Sequence, residues 1–264
     1  VFFLGSKIPA DLLGGSWYIY QRYAPLFWAG ARTTLLISLS ATIIGLIIGL
    51  IVASIRNVKF TPKDSLLSKL FKKFMHLLAT IYIEVFRGTP MMVQAVFLYH
   101  GLRQYIMWSP IQAGIFIVSI NTGAYMAEII RAGIQSIDDG QYEAARSIGM
   151  NNTQAMIKII LPQAIRNAFP AIGNEFVVNI KDTSVLNVIS VTELFFQSNS
   201  VAGIVFRYRD TFLVTAVIYL FLTFTTTQIL RAIERKLDSP KGFGGASQSM
   251  PGNFPSLKRK EQKA

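Results

Sequence analysis

Long uncharged runs between short basic stretches dominate the chain. Residues 33–55 carry no charge between Arg32 and Arg56. Residues 104–127 carry none between Arg103 and Glu128, and residues 211–230 none between Asp210 and Arg231. A helix needs about 20 mainly apolar residues to cross the hydrocarbon core of a bilayer, so each run predicts a spanning helix. Two further runs are interrupted. Residues 75–103 contain Glu84, Arg87 and the break Gly88-Thr89-Pro90, and residues 168–191 contain Glu175, Lys181 and Asp182. Charges are costly in hydrocarbon, so these two spans are expected to turn their polar positions toward protein or water. The pattern predicts an all-α membrane protein with about five transmembrane helices, over about 29–55, 75–103, 104–131, 163–191 and 211–235.

The ends read differently. Residues 1–15 lack a basic stretch and contain Pro9 and Asp11, so no cleavable signal peptide is expected. Trp17, Tyr18, Tyr20, Tyr23 and Trp28 mark residues 1–28 as an extracytoplasmic, interfacial segment, since aromatic residues gather at that depth. Residues 238–264 are rich in Gly, Ser, Pro and Lys and are expected to form a disordered basic tail. Its Lys258, Arg259 and Lys260 either meet anionic membrane lipid or are simply solvated. Arg56, Lys59, Lys63, Lys69, Lys72 and Lys73 follow the first span, and more Lys and Arg follow the last. Positive residues stay inside, so the N-terminus is expected outside and the C-terminus in the cytoplasm, with the loop 137–160 cytoplasmic as well.

Composition agrees. Of the 264 residues, 52% are apolar and only 15% charged, and 26 Lys and Arg against 14 Asp and Glu leave a net charge of +12. A soluble domain carries about 25% charged residues. Basic loops on a membrane protein account for both facts, whereas a nucleic-acid binder is not expected to be so apolar. There is no Cys, which excludes disulfides, thiolate metal sites and a Cys nucleophile. His76 and His100 stand alone, so no metal site and no Ser/His/Asp set is expected. No G-x-x-x-x-G-K-[ST] sequence is present, so energy from ATP would have to come from a partner.

The loop 137–160 is the most informative segment. Asp138 or Asp139 can cap a short helix, Gln141 to Ile148 are good helix formers, and Gly149 suits a left-handed position after its end. Asn152 or Thr153 can cap a second helix, which Pro162 interrupts. Glu143-Ala144-Ala145, three residues, Gly149, nine residues, Ile159, one residue, then Leu161-Pro162 resembles the "EAA" loop of ABC importer permeases. Glu84-Val-Phe-Arg87-Gly88-Thr89-Pro90, Tyr125-x-x-Glu128-x-x-Arg131-x-Gly133, and Asn174-Glu175-Phe with Lys181-Asp182-Thr-Ser184 resemble the polar amino acid branch of that family. The similarity runs from about Trp28 to Leu237. The segment 56–73 is long for the group, and the tail is an extension.

The resemblance implies the type I ABC importer, or MetI-like, permease fold. It implies that Gln141, Tyr142, Glu143, Ala144, Ala145, Arg146, Gly149, Leu161 and Pro162 form the coupling element that docks on a cytosolic ATPase. It further implies a bacterial cytoplasmic membrane location, two ATPase subunits carrying the ATP and Mg, a second permease chain, an extracytoplasmic substrate-binding protein and a polar amino acid substrate. This chain itself would bind no cofactor and catalyse nothing.

The charges within the spans have two readings. Glu84 with Arg87, and Glu128 with Arg131, stand three apart and can pair as helical neighbours, either as self-neutralised pairs or as gates. Gly88-Thr89-Pro90 would let the second span bend. Glu175, Asn179 and Asp182 lie within about 60° on a helix, with Asn174 and Lys181 on a second stripe. With Gln94, Asn121 and Ser184 they are candidates to line a substrate path, because an amino acid needs acceptors for its ammonium and donors for its carboxylate. The alternative is that they hold neighbouring helices together. Two other functions compete with the importer: an ion-coupled secondary amino acid transporter using Glu175 and Asp182, and a membrane scaffold.

Overall fold

The computed structural model describes residues 8–58 and 65–238, and among these it is entirely helical with no strand. The basic residues Lys59 and Lys63 and the tail from residue 239 lie outside the described residues. The elements are α1 (Leu12–Arg56), α2 (Leu66–Gly88), α3 (Met91–Arg103), α4 (Pro110–Gln135), α5 (Asp139–Ser147), α6 (Asn152–Ala155), α7 (Leu161–Asp182), α8 (Leu194–Val205) and α9 (Tyr208–Asp238). A π turn, Met156–Ile160, joins α6 to α7, and a 3₁₀ turn, Thr183–Ile189, follows α7.

Among the described residues, three helices are long and apolar enough to cross a membrane by themselves: α1, α4 and α9 through Leu237. The segments Asn152–Ile189 and Leu194–Val205 are long and apolar enough only when taken together, and they meet at a 56° bend, the form of a broken span or of a re-entrant loop. The expected span 75–103 is not one helix. Thr89 is extended (φ −124°, ψ 146°) and Pro90 caps α3, because a residue before proline is pushed out of the helical region. The third span starts at Pro110 rather than 104. Ser109 and Gln112 form a reciprocal capping box around a proline in the first turn. The interfacial segment expected over residues 1–28 is not separate either where the structure describes it from Leu12 on. It belongs to α1, which Asp11 caps by accepting from the Gly14 amide at 2.7 Å and which continues through Pro25. At 45 residues α1 is about 68 Å long, more than twice the hydrocarbon thickness.

α1 and α4 pack closely through small residues. A Cβ on Gly49 would lie 2.5 Å from that of Met126. Gly133 of α4 likewise admits the Ala164 carbonyl of α7, which a Cβ would meet at 2.6 Å. In a membrane, where lipid competes with side chains on equal terms, such close backbone approach is what holds helices together. Asn179 of α7 ties the same three helices by hydrogen bonds. It donates to Thr42 Oγ1 at 2.9 Å and accepts from Thr122 Oγ1 at 3.0 Å. One apolar cluster joins α1, α3, α4 and the 3₁₀ turn around Ile37, Ile117 and Leu186. A second joins α1, α7, α8 and α9 around Phe27, Ile180 and Ile218.

Candidate functional site

Two features carry the candidate chemistry. The first is α5. Asp138 caps it, accepting from the Gly140 amide at 2.8 Å. At its other end Gly149 is left-handed (φ 83°), its amide donates to Arg146 O at 3.0 Å, and the Met150 amide donates to Ala145 O at 3.2 Å. These two bonds make a Schellman ending, in which carbonyls left open by the helix are satisfied. Gln141, Glu143, Ala144 and Arg146 are exposed, Tyr142 is half-buried, and Ala145 packs inward. The next helix is capped by Asn151, not Asn152 or Thr153, through a capping box with Gln154. Pro162 does not interrupt that helix. It sits in the first turn of α7 directly after the π turn, and the helical path runs on from Asn152 through Ile189. Gln163 of α7 donates to Ile159 O at 2.8 Å and to Gln141 Oε1 at 3.4 Å, so α5 leans on the start of α7.

The second feature is a cavity of about 460 Å³ lined by the break Arg87-Gly88-Thr89-Pro90, by Met91, by Asn121 and Tyr125 of α4, and by Glu175, Val178 and Asp182 of α7. Two carboxylates, one guanidinium and one amide therefore converge there. Gln94 stands behind it. Its amide donates to Phe86 O and Thr89 O, both at 3.0 Å, and to Thr89 Oγ1 at 2.8 Å.

Several sequence expectations change at this point. Asn179 is 3% exposed and braces helices rather than facing the cavity. On the helix it lies about 40° to one side of Glu175 and Val178 about 60° to the other, and the bundle takes the Asn179 edge. Asn174 lines a smaller pocket of about 160 Å³ against α9, with Arg231 and Glu234. Lys181 is exposed and Ser184 half-buried, and neither lines the cavity. Glu84 and Arg87 form no ion pair. Arg87 instead lies over the Tyr125 ring, 5.3 Å from its centre, and Glu84 is exposed. Glu128 and Arg131 do pair, at 2.6 Å, and Arg56 from the end of α1 joins the same carboxylate. The structure adds Arg56 and Tyr125 to these sites. Tyr125 stands one turn beyond Asn121 on the same helix face, which is a readable signal. The partner of Arg56 lies 72 positions away, which is not.

Residues 45–239 match the model of the family described as binding-protein-dependent transport system inner membrane component. The chain belongs to that family. It is 38% identical over 211 residues to the probable amino-acid permease protein YxeN of Bacillus subtilis, covering 78% of this chain and 89% of that one. It is 35% identical over 216 residues to the glutamine transport system permease protein GlnP of Escherichia coli, covering 81% and 93%. Among solved structures, a chain of an amino acid ABC transporter with histidines superposes with a TM-score of 0.73 at 38% identity, over 86% of this chain and 99% of that chain. The inward-facing MetNI methionine ABC transporter shares the fold, with a TM-score of 0.69 at 18% identity over 80% and 96%. The chain is thus an integral membrane permease subunit of an ABC importer with the MetI-like fold. An ATPase and a substrate-binding protein are its family's working partners. The comparisons lend no support to an ion-coupled carrier.

Proposed function

We propose that this permease moves a polar amino acid across the bacterial cytoplasmic membrane, with its N-terminus outside and its C-terminus inside. The observation that carries the reading is α5, a short helix held outward by a cap at each end, with Glu143 and Arg146 exposed and its base resting on the π turn that opens α7. Two ATPase subunits, which hold the ATP and Mg, engage this helix and its counterpart in a second permease chain. This chain binds no nucleotide itself. Closure of the ATPase pair pushes α5, α5 carries the π turn, and the π turn moves α7, whose far end bears Glu175 and Asp182. Backbone that departs from the helix is tolerated at membrane depth where it lines a cavity, as the break at Gly88-Thr89-Pro90 does. In the cavity the carboxylates and the Asn121 carbonyl oxygen accept from an ammonium group and Arg87 donates to a carboxylate, which suits a zwitterion. Alternating access then exposes the cavity to each side in turn.

The test is a mild-detergent pull-down of the chain from its native membrane. A P-loop ATPase that co-purifies with the unaltered chain and is lost with Glu143→Lys is expected. An ATPase retained by Glu143→Lys would remove α5 from its proposed role.

A further inference from the structure

A groove on the outer face of α1 and α9 lies apart from the transport cavity. The two helices run side by side in the same direction. At one end Ser16 donates its hydroxyl to the Asp210 carbonyl at 3.1 Å, and about three turns further on Trp28 meets Phe221 edge-on with ring centres 6.3 Å apart. Between them is a space of about 490 Å³. Val214 and Ile218 form its buried floor, and Trp17, Val217 and Phe221 stand exposed as its walls. The Ser16 hydroxyl already serves Asp210 and the Trp28 ring N–H donates to the Tyr20 hydroxyl at 3.3 Å, so the surface left for a ligand is predominantly apolar.

One end is charged. Arg209, Leu213, Val217 and Phe221 follow one another at a spacing of four and so share a stripe of α9 with the guanidinium at its head. Arg209 lies 3.4 Å from Asp210 with its side chain 70% exposed. Asp210 also pairs with Arg207, whose guanidinium donates to Pro9 O at 2.9 Å. One carboxylate between two guanidiniums leaves a net positive charge at the mouth, on the exposed Arg209. The depth fits. The uncharged residues 211–230 span about 30 Å, the thickness of the hydrocarbon core, which puts Arg209 at the level of the headgroups. From Arg209 to Phe221 the helix rises about 18 Å, close to the roughly 15 Å depth of one leaflet.

We propose that this groove binds one glycerophospholipid with an anionic headgroup, one acyl chain lying between Trp17 and Phe221 and the phosphate on Arg209. The chain has three Trp, and Trp17 and Trp28 line the groove, so their fluorescence reports occupancy. The full chain is reconstituted in phosphatidylcholine vesicles containing an equal minor fraction of either brominated phosphatidylglycerol or brominated phosphatidylcholine. The anionic lipid is expected to quench with an apparent preference of about fivefold, the worth of one Arg near the membrane surface. Arg209→Gln is expected to bring the two lipids to parity, and Arg209→Lys to keep the preference. Equal quenching by both lipids in the unaltered chain would mean ordinary surrounding lipid and would overturn the proposal. So would the lack of quenching by either, which would show the groove covered by protein, whether a second copy or another subunit. A preference that survives Arg209→Gln would overturn the assignment of the phosphate to Arg209.

Discussion

Asn121 donates its side-chain amide to Gln94 Oε1 at 2.9 Å, and this bond joins α4 to the helix that follows the break in the second span. Asn121 also donates to Phe86 O at 3.1 Å, so both sides of the break are held from α4. Gln94→Leu fills a similar volume and leaves the Thr89 carbonyl and the Asn121 amide short of a partner. Its expected cost is about 1–3 kcal/mol, the penalty for such an orphaned group. Thermal unfolding of the detergent-solubilised chain measures it. An unchanged midpoint would mean that the break holds its shape without Gln94.

Cavity-lining and bracing residues of α7 are expected to separate cleanly. Asn179→Ala removes the bonds to Thr42 and Thr122 in a buried layer and lowers stability by about 1–3 kcal/mol. It is expected to leave the substrate KM for uptake unchanged. Glu175→Gln and Asp182→Asn should do the reverse, changing KM or substrate preference while the unfolding midpoint stays put. Unchanged uptake of every amino acid tested would move both carboxylates out of the substrate path.

The coupling helix offers a contrast between surface and backbone. Glu143 is exposed and its side chain makes no hydrogen bond or ion pair among the described residues, so Glu143→Lys should spare the fold. It is expected to abolish substrate-stimulated ATPase activity in the assembled complex. Gly149→Val acts otherwise. A Cβ there meets nothing within 4 Å, but φ is 83°, and a left-handed residue with a side chain costs about 1–2 kcal/mol. Partial loss of coupling, restored by Gly149→Asn, is the expected result. Full activity of Gly149→Val would show that the Schellman ending is dispensable.

Glu193 is a buried carboxylate whose work is architectural. It caps α8 by accepting from the Phe195 amide at 2.8 Å and the Phe196 amide at 2.7 Å, and it accepts the Tyr219 hydroxyl of α9 at 3.1 Å. Glu193→Ala removes a cap worth about 0.5–2 kcal/mol and also orphans Tyr219. Tyr219→Phe removes one bond and leaves the cap intact. Glu193→Ala is therefore expected to be the more destabilising of the two in thermal unfolding. The opposite order would show that the link between α8 and α9 outweighs the cap.

Periodicity and charge placed α1, α4 and α9 in the membrane, because an uncharged run long enough to cross has few other stable fates. Local chemistry was equally readable in the loop after α4. An aspartate, a run of helix formers and a glycine specify a short capped helix wherever they occur, and Gly149 takes the left-handed position that its lack of a Cβ allows. The capping box at Ser109 and Gln112 was just as local, and it corrects the start of the third span.

Contacts between distant positions were not legible in this way. The stripe holding Glu175, Asn179 and Asp182 was correct as helix geometry, yet only packing against Thr42 and Thr122 turned Asn179 inward and left Val178 beside the carboxylates. The pairing of Arg87 with Glu84 was reasonable by spacing, and the ring of Tyr125 took the guanidinium instead. By itself, then, the sequence determined the helical class, the spans marked by uncharged runs and the form of the coupling helix, since each follows from neighbours within a few turns. Only the tertiary structure decided which polar residues line the cavity and which brace it, because a helix presents several polar edges at once and the other helices choose among them.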